Sequence, residues 1–149
     1  MGAEAIWVSE RVSPPEGKAE RADPLQWTRK PGFQKVEEWL LDQTRESTRN
    51  LFSFHAKKLF DWLAKTGRFA NAKALLDDYE KLDMKGQYSH VQLLKIYMQE
   101  LRTQGYSSAS RKSVLTAIKS LYLSNQTLLP KISGQDRRKM FELSEKQRQ

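Results

Sequence analysis

Apolar residues recur with a helical period from Gln34 onward, and nowhere does alternation with a period of two last long enough for a strand. In "QKVEEWLLDQ", Val36, Trp39 and Leu40 share a face, which predicts a short first helix. The next stretch, "ESTRNLFSFHAKKLFDWLAKTG", offers Ser47 or Thr48 as an N-cap and Gly67 as a stop. Between them lie one apolar set, Phe52, Ala56, Leu59, Phe60 and Leu63, and a second, Leu51, Phe54 and Trp62. A helix apolar around so much of its circumference belongs at the centre of a core. "NAKALLDDYEKLD" predicts a shorter helix through Leu75, Leu76 and Tyr79.

In "YSHVQLLKIYMQELRTQGYS", Ser89 and Gln92 have the spacing of a reciprocal capping box, and Val91, Leu94, Met98 and Leu101 line one face with Tyr97 beside it. Gly105 ends that helix. After Tyr106-Ser107, Ser108 is expected to cap a last main helix running to about Asn125, with Val114, Leu115, Ile118, Leu121 and Tyr122 inward. A final exposed helix is expected from Gln135. The pattern predicts an all-α chain, a compact four- to five-helix bundle with short connections and no repeat at a fixed period.

Residues 1–32 carry four of the 5 prolines and scattered charges without a period, so they read as a flexible lead-in to a domain spanning 33–129, followed by a basic exit segment, 130–149. Trp7 and Trp27 are unusual in such a lead-in and are expected to dock on the domain or on a partner. No apolar run approaches the roughly 20 residues that span a bilayer, and the amino-terminal segment lacks a signal core, so the chain is expected in the cytoplasm without a membrane partner. With no cysteine and only His55 and His90 as imidazoles, neither a thiol nucleophile nor a Cys- or His-rich metal site is expected, and no cofactor.

Charge narrows the picture further. Residues 1–46 carry 7 Lys and Arg against 9 Asp and Glu, residues 47–129 carry 13 against 6, and residues 130–149 carry 6 against 3. The surplus of +8 therefore resides on the helical part and its exit, which points to a polyanionic partner. On the last main helix, Ser108, Lys112, Thr116 and Lys119 lie within about 80° of one another, opposite the apolar seam. Arg111 falls in its first turn, where backbone N–H groups and the positive helix end favour phosphate. Lys57 and Lys58 repeat the theme on the central helix, with Thr48 and Arg49 at its start. Gln92, Lys95, Gln99 and Arg102 form a further basic stripe without an acid inside it. Hydroxyls and cations on one face are the groups that contact phosphate oxygens and position a protein on a duplex.

Other candidates carry less chemistry. His55, on the broad apolar face, reads as a hydrogen-bonded core or boundary residue, and His90, next to the Ser89 cap, as exposed. Asp77, Asp78, Glu80 and Asp83 lack the spacing and glycine of a calcium loop. Phe52, Phe54, Phe60, Trp62, Tyr97 and Tyr122 read as core before base-stacking platforms. No paired acid and base, phosphate-cradling Gly-rich loop or activated nucleophile stands out.

The order of these motifs, Thr48, Phe52, Leu59, Phe60, Trp62 and Leu63, then Tyr97, Leu101, Gly105, Tyr106 and Ser107, then Val114, Leu115, Ala117, Ile118, Lys119, Ser120, Leu121 and Tyr122, resembles the amino-terminal core-binding domain of tyrosine recombinases and phage integrases, a SAM-like helical fold. The resemblance covers residues 34–130. Phe52 stands where that family often has Tyr, and Ala109–Lys112 lacks its usual Thr. The resemblance implies a half-clamp over one face of double-stranded DNA, a separate catalytic domain of the same parent protein closing the other, and copies of the chain assembling on the DNA. The family's catalytic His-x-x-Arg has no counterpart here, since His55 is followed by Lys58 and His90 by Leu93. The chain is thus expected to bind without cutting, not to be an enzyme by itself, with "KISGQDRRK" opening an interdomain linker. The alternative is a helical protein-interaction module that uses its amino-terminal segment.

Overall fold

A computed structural model of the chain describes residues 23–125, 129–130 and 132–141. Every regular element among them is helical: a 3₁₀ turn, Gln26–Thr28, then α1 (Gln34–Leu41), α2 (Glu46–Lys65), α3 (Ala72–Lys81), α4 (Met84–Thr103), α5 (Ser108–Ser124) and α6 (Gly134–Met140). Helix α5 lies against α1, α2 and α4, and α6 rests on α4. The core takes Val36, Trp39 and Leu40 from α1, Leu59, Phe60 and Leu63 from α2, Leu75, Leu76 and Tyr79 from α3, and Leu94, Tyr97 and Met98 from α4. From α5 come Val114, Ile118 and Leu121. These are the apolar faces that the periodicity marks out, with one correction: of the second apolar set on α2, Leu51 and Phe54 are exposed and Trp62 is half-buried, so α2 buries one face and not most of its circumference.

Helix starts differ from expectation, for reasons of local chemistry. Helix α4 begins at Met84, five residues ahead of Ser89; Asp83 in extended backbone is the cap, its Oδ1 accepting from the Gly86 N–H at 2.7 Å. A carboxylate at the positive helix end stabilises a first turn whose exposed residues leave no apolar signature. The earlier start places His90 in the second turn, on the face of Leu94 and Tyr97: it is buried, not exposed. Helix α5 is capped by Ser107, not Ser108, through Oγ accepting from the Ser110 N–H at 3.1 Å. Helix α2 starts from Arg45 with no side-chain cap, so Ser47 and Thr48 lie inside its first turn.

Both ends of the described chain are folded onto the bundle. Residues 23–32, expected in the lead-in, pack against α2. Leu25 and Thr28 are buried, Trp27 Nε1 donates to Ser53 Oγ at 2.8 Å, and its indole meets Phe33 edge-on at 5.5 Å. Trp7 lies outside the described residues. The exit segment also departs from expectation, because α6 is docked rather than exposed: Asp136, Met140 and Phe141 are all buried. Burying two such apolar side chains contributes roughly 3 to 6 kcal/mol, which explains why a short basic helix stays on the surface of α4.

Polar links tie the layers together. Trp39 Nε1 donates to Ser120 Oγ at 2.9 Å, joining α1 to α5, and its ring stacks on Phe52 at 5.3 Å. His90 bridges α3 and α5, with Nε2 2.8 Å from Asp78 Oδ2 and Nδ1 2.8 Å from Tyr122 Oη. No helix among the described residues is long and apolar enough to cross a membrane.

Candidate nucleic-acid interface

On α5 the expected stripe is present, with one correction. Lys112, Thr116 and Lys119 are exposed and Ser108 is half-buried on the same side. The Thr116 hydroxyl donates to the Lys112 carbonyl at 3.0 Å, so its oxygen lone pairs face outward as acceptors and its proton is occupied. Arg111 does not belong to this stripe. One residue, or about 100°, from Lys112, it turns inward, is 3% exposed, and donates from Nη1 to the Met140 carbonyl at 2.6 Å. Burial lowers its pKa, with the charge of Arg102 adding to the effect. Its guanidinium closes the carboxyl end of α6 and is not presented to a ligand.

The candidates on α2 are divided by their neighbours. Lys57 is exposed but paired with Asp61 at 2.9 Å, one helical turn on. Lys58 has no carboxylate partner among the described residues and lies over the Tyr106 ring at 5.5 Å. Arg49 donates from Nε to the Leu40 carbonyl and from Nη2 to the Gln43 carbonyl, each at 3.3 Å. It closes the end of α1, satisfying carbonyls that have no intrahelical partner. Thr48 is half-buried in the same turn. The structure therefore does not gather Thr48, Arg49 and Lys57 into one open cationic face.

Helix α4's polar stripe is likewise not free, because it is the seat of α6. Lys95 donates to Asp136 Oδ1 at 3.0 Å and Gln99 Nε2 to the Lys139 carbonyl at 2.9 Å. An acid from a distant part of the chain thus neutralises a stripe that carries none of its own.

What the docking of α6 adds is Arg137. Its guanidinium lies over the Phe141 ring at 5.4 Å, and Lys112 Nζ lies over the same ring at 5.7 Å. The buried phenyl thus holds one cation from each of two helices, an arrangement favoured by attraction to the ring face. Beyond it, Arg137 and Lys119 flank a groove of about 440 Å³ lined also by Thr116, Leu123, Pro130 and Ile132. Lys112, Lys119 and Arg137 have no carboxylate within ion-pair distance among the described residues. Elsewhere some cations are paired, Arg29 with Asp23, Lys57 with Asp61, Lys73 with Asp77 and Lys95 with Asp136, while Lys35, Arg45, Lys65 and Lys85 have no acid partner among the described residues. Among the described residues, cations without a paired acid converge where α5 and α6 meet, and such a cluster attracts polyanions. The sequence signal for Arg137 was the apolar pair Met140-Phe141 directly after "RRK", an anchor at the end of a basic turn.

Neither histidine is exposed to a ligand. His55 is buried, its Nε2 3.4 Å from Ser113 Oγ and its Nδ1 without a partner among the described residues. Among the described residues no group of three or more His, Cys, Asp or Glu side chains gathers as a metal site. Comparison with protein-family models, with curated proteins and with solved structures finds no match to this chain.

Proposed function

We propose that the chain is a cytoplasmic DNA-binding module that grips the phosphate backbone of double-stranded DNA through Lys112, Lys119 and Arg137, with Thr116 and Ser108 as hydroxyl partners and Lys58 flanking. The observation that carries this reading is the convergence, where α5 meets α6, of Lys112, Lys119 and Arg137, none of them paired with an acid among the described residues. The resemblance of residues 34–130 to the core-binding domain of tyrosine recombinases and phage integrases supports the same partner. On that reading the domain holds one side of the duplex, further copies assemble on the DNA, and strand cleavage belongs to a separate catalytic domain of the parent protein. The chain itself binds without catalysing. A protein-interaction module working through Trp27 is the weaker reading, since that indole is occupied by Ser53, Phe33 and Phe60.

Retention of a labelled duplex measured across salt concentrations tests the proposal. Three phosphate contacts correspond to a slope of log affinity against log salt of about −3. Lys112→Glu combined with Lys119→Glu is expected to weaken binding at least ~10-fold on every duplex sequence and to flatten the slope by about 2. Lys57→Gln, already neutralised by Asp61, is expected to change it less than about 2-fold. Binding indifferent to salt and to the double charge reversal would refute the reading.

A further inference from the structure

We infer that Asp136, held by Tyr88 and Lys95, is the positioning residue of a docked arm: the acid latches α6 onto α4 and so brings Arg137 beside Lys112 to complete the polyanion-binding face. The inference rests on the proposed DNA binding and adds to it an acidic residue that promotes, rather than opposes, contact with a polyanion.

The latch has two points. At the start of α6, Ser133 caps the helix by accepting from the Asp136 N–H at 3.0 Å, which fixes the Asp136 backbone. The Asp136 side chain then reaches α4, where Tyr88 Oη donates to Oδ2 at 2.5 Å and Lys95 Nζ donates to Oδ1 at 3.0 Å. The Tyr88 hydroxyl first, and then the Lys95 ammonium, hold the Asp136 carboxyl below the usual carboxylate range, so the latch is charged at neutral pH. At the far end, Met140 and Phe141 are buried and Arg111 grips the Met140 carbonyl. Between these points run Arg137, Arg138 and Lys139, all exposed. Seven helical residues are too few to hold a helix unaided in water. The register of these cations beside Lys112 and Lys119 therefore depends on the docking contacts.

Simple charge counting and the latch predict opposite signs, which makes the inference decidable. Asp136→Asn removes a negative charge, so net charge alone predicts tighter binding. The latch predicts weaker binding, roughly 5-fold on a duplex of about 20 base pairs, with a salt slope shallower by about 1 because Arg137 loses its place. Tyr88→Phe leaves net charge unchanged and is expected to shift affinity the same way by a smaller factor. Both are made in the full chain, with hydrogen exchange at the Arg137 and Phe141 amides reporting whether α6 is docked and amides of α2 and α5 reporting the bundle. Faster exchange confined to α6 together with weaker binding supports the latch. Unchanged or tighter binding despite a released α6 overturns it, as does an Asp136→Asn chain whose α6 amides stay protected. Should Asp136→Asn unfold the bundle, Tyr88→Phe decides by the same readouts. Failure of the wild-type chain to retain duplex at low salt would instead remove the DNA reading and the inference with it, so the two failures are told apart by the wild-type lane.

Discussion

His90 is held from two sides, and its tautomer follows from its partners. An ionised Asp78 can only accept, so Nε2 carries the proton and Nδ1 accepts from the Tyr122 hydroxyl. Burial lowers the His90 pKa, and the hydrogen bond and charge of Asp78 offset this only in part; burial lowers His55 as well. A folded-state pKa below the unfolded value of about 6.5 means that the unfolded chain binds protons first. Stability supplied by the neutral rings is thus complete above about pH 6.5 and is lost as pH falls below it. Each histidine contributes a slope of at most about 1.4 kcal/mol per pH unit. In urea unfolding between pH 8 and pH 5, His90→Gln is expected to lower stability at pH 8 and to flatten the decline toward pH 5, leaving the part that His55 causes. An unaltered slope would mean that His90 does not titrate in this window. His55 was legible as a core residue because its helix is apolar on both flanking faces. His90 was not, because a Ser89 cap places it at a fraying helix start; with α4 beginning at Met84 behind Asp83 it lies a full turn inside, on the face of Leu94 and Tyr97.

At the scale of elements, the glycine stops were readable and one glycine was not. Gly105 and Gly67 follow α4 and α2 with φ of 96° and 73°, as helix-ending glycines do, and a Cβ at either would meet nothing within 4 Å. Gly32 has φ of 91°, but a Cβ there would collide with the Asn71 side chain at 2.4 Å. That side chain caps α3 by accepting from the Ala74 N–H at 2.9 Å, and the Gly32 carbonyl accepts from the Lys73 N–H at 2.9 Å. Gly105→Ala is therefore expected to cost about 1 kcal/mol, the strain of a left-handed backbone alone. Gly32→Ala adds the displaced cap, worth roughly another 1 kcal/mol, and thermal unfolding of the two variants side by side checks the order. The apolar faces of α1 to α5 were legible because a helical period is local. Caps were harder: adjacent serines at 107 and 108 offer the same hydroxyl, and only backbone geometry selects between them.

For the molecule as a whole, the folded unit extends past both of the expected boundaries. Residues 23–32 supply Leu25, Thr28 and Trp27 to the bundle, and residues 132–141 supply Met140, Phe141 and the acceptor for the buried Arg111. A fragment of residues 33–129 is expected to unfold, or to melt far below the full chain, since it loses at least ~3 to 6 kcal/mol of burial at Met140 and Phe141 and leaves the Arg111 guanidinium uncompensated. A fragment of residues 23–141 is expected to melt close to the full chain, and circular dichroism of both settles the boundary. The composition of residues 1–32 and 130–149 hid this, because prolines and charges dominate the local average while single anchors such as Trp27 and Phe141 supply the burial.

The sequence by itself determined an all-α bundle, the inward faces of its five main helices and the basic character of its surface, because each follows from spacing along one helix or from a sum over residues. Only the tertiary structure decided which cations remain unpaired, since Lys95 and Arg111 find partners 41 and 29 residues away while Lys112, Lys119 and Arg137 find no acid among the described residues. Pairing between distant segments is a matter of three-dimensional proximity, and no local pattern of residues encodes it.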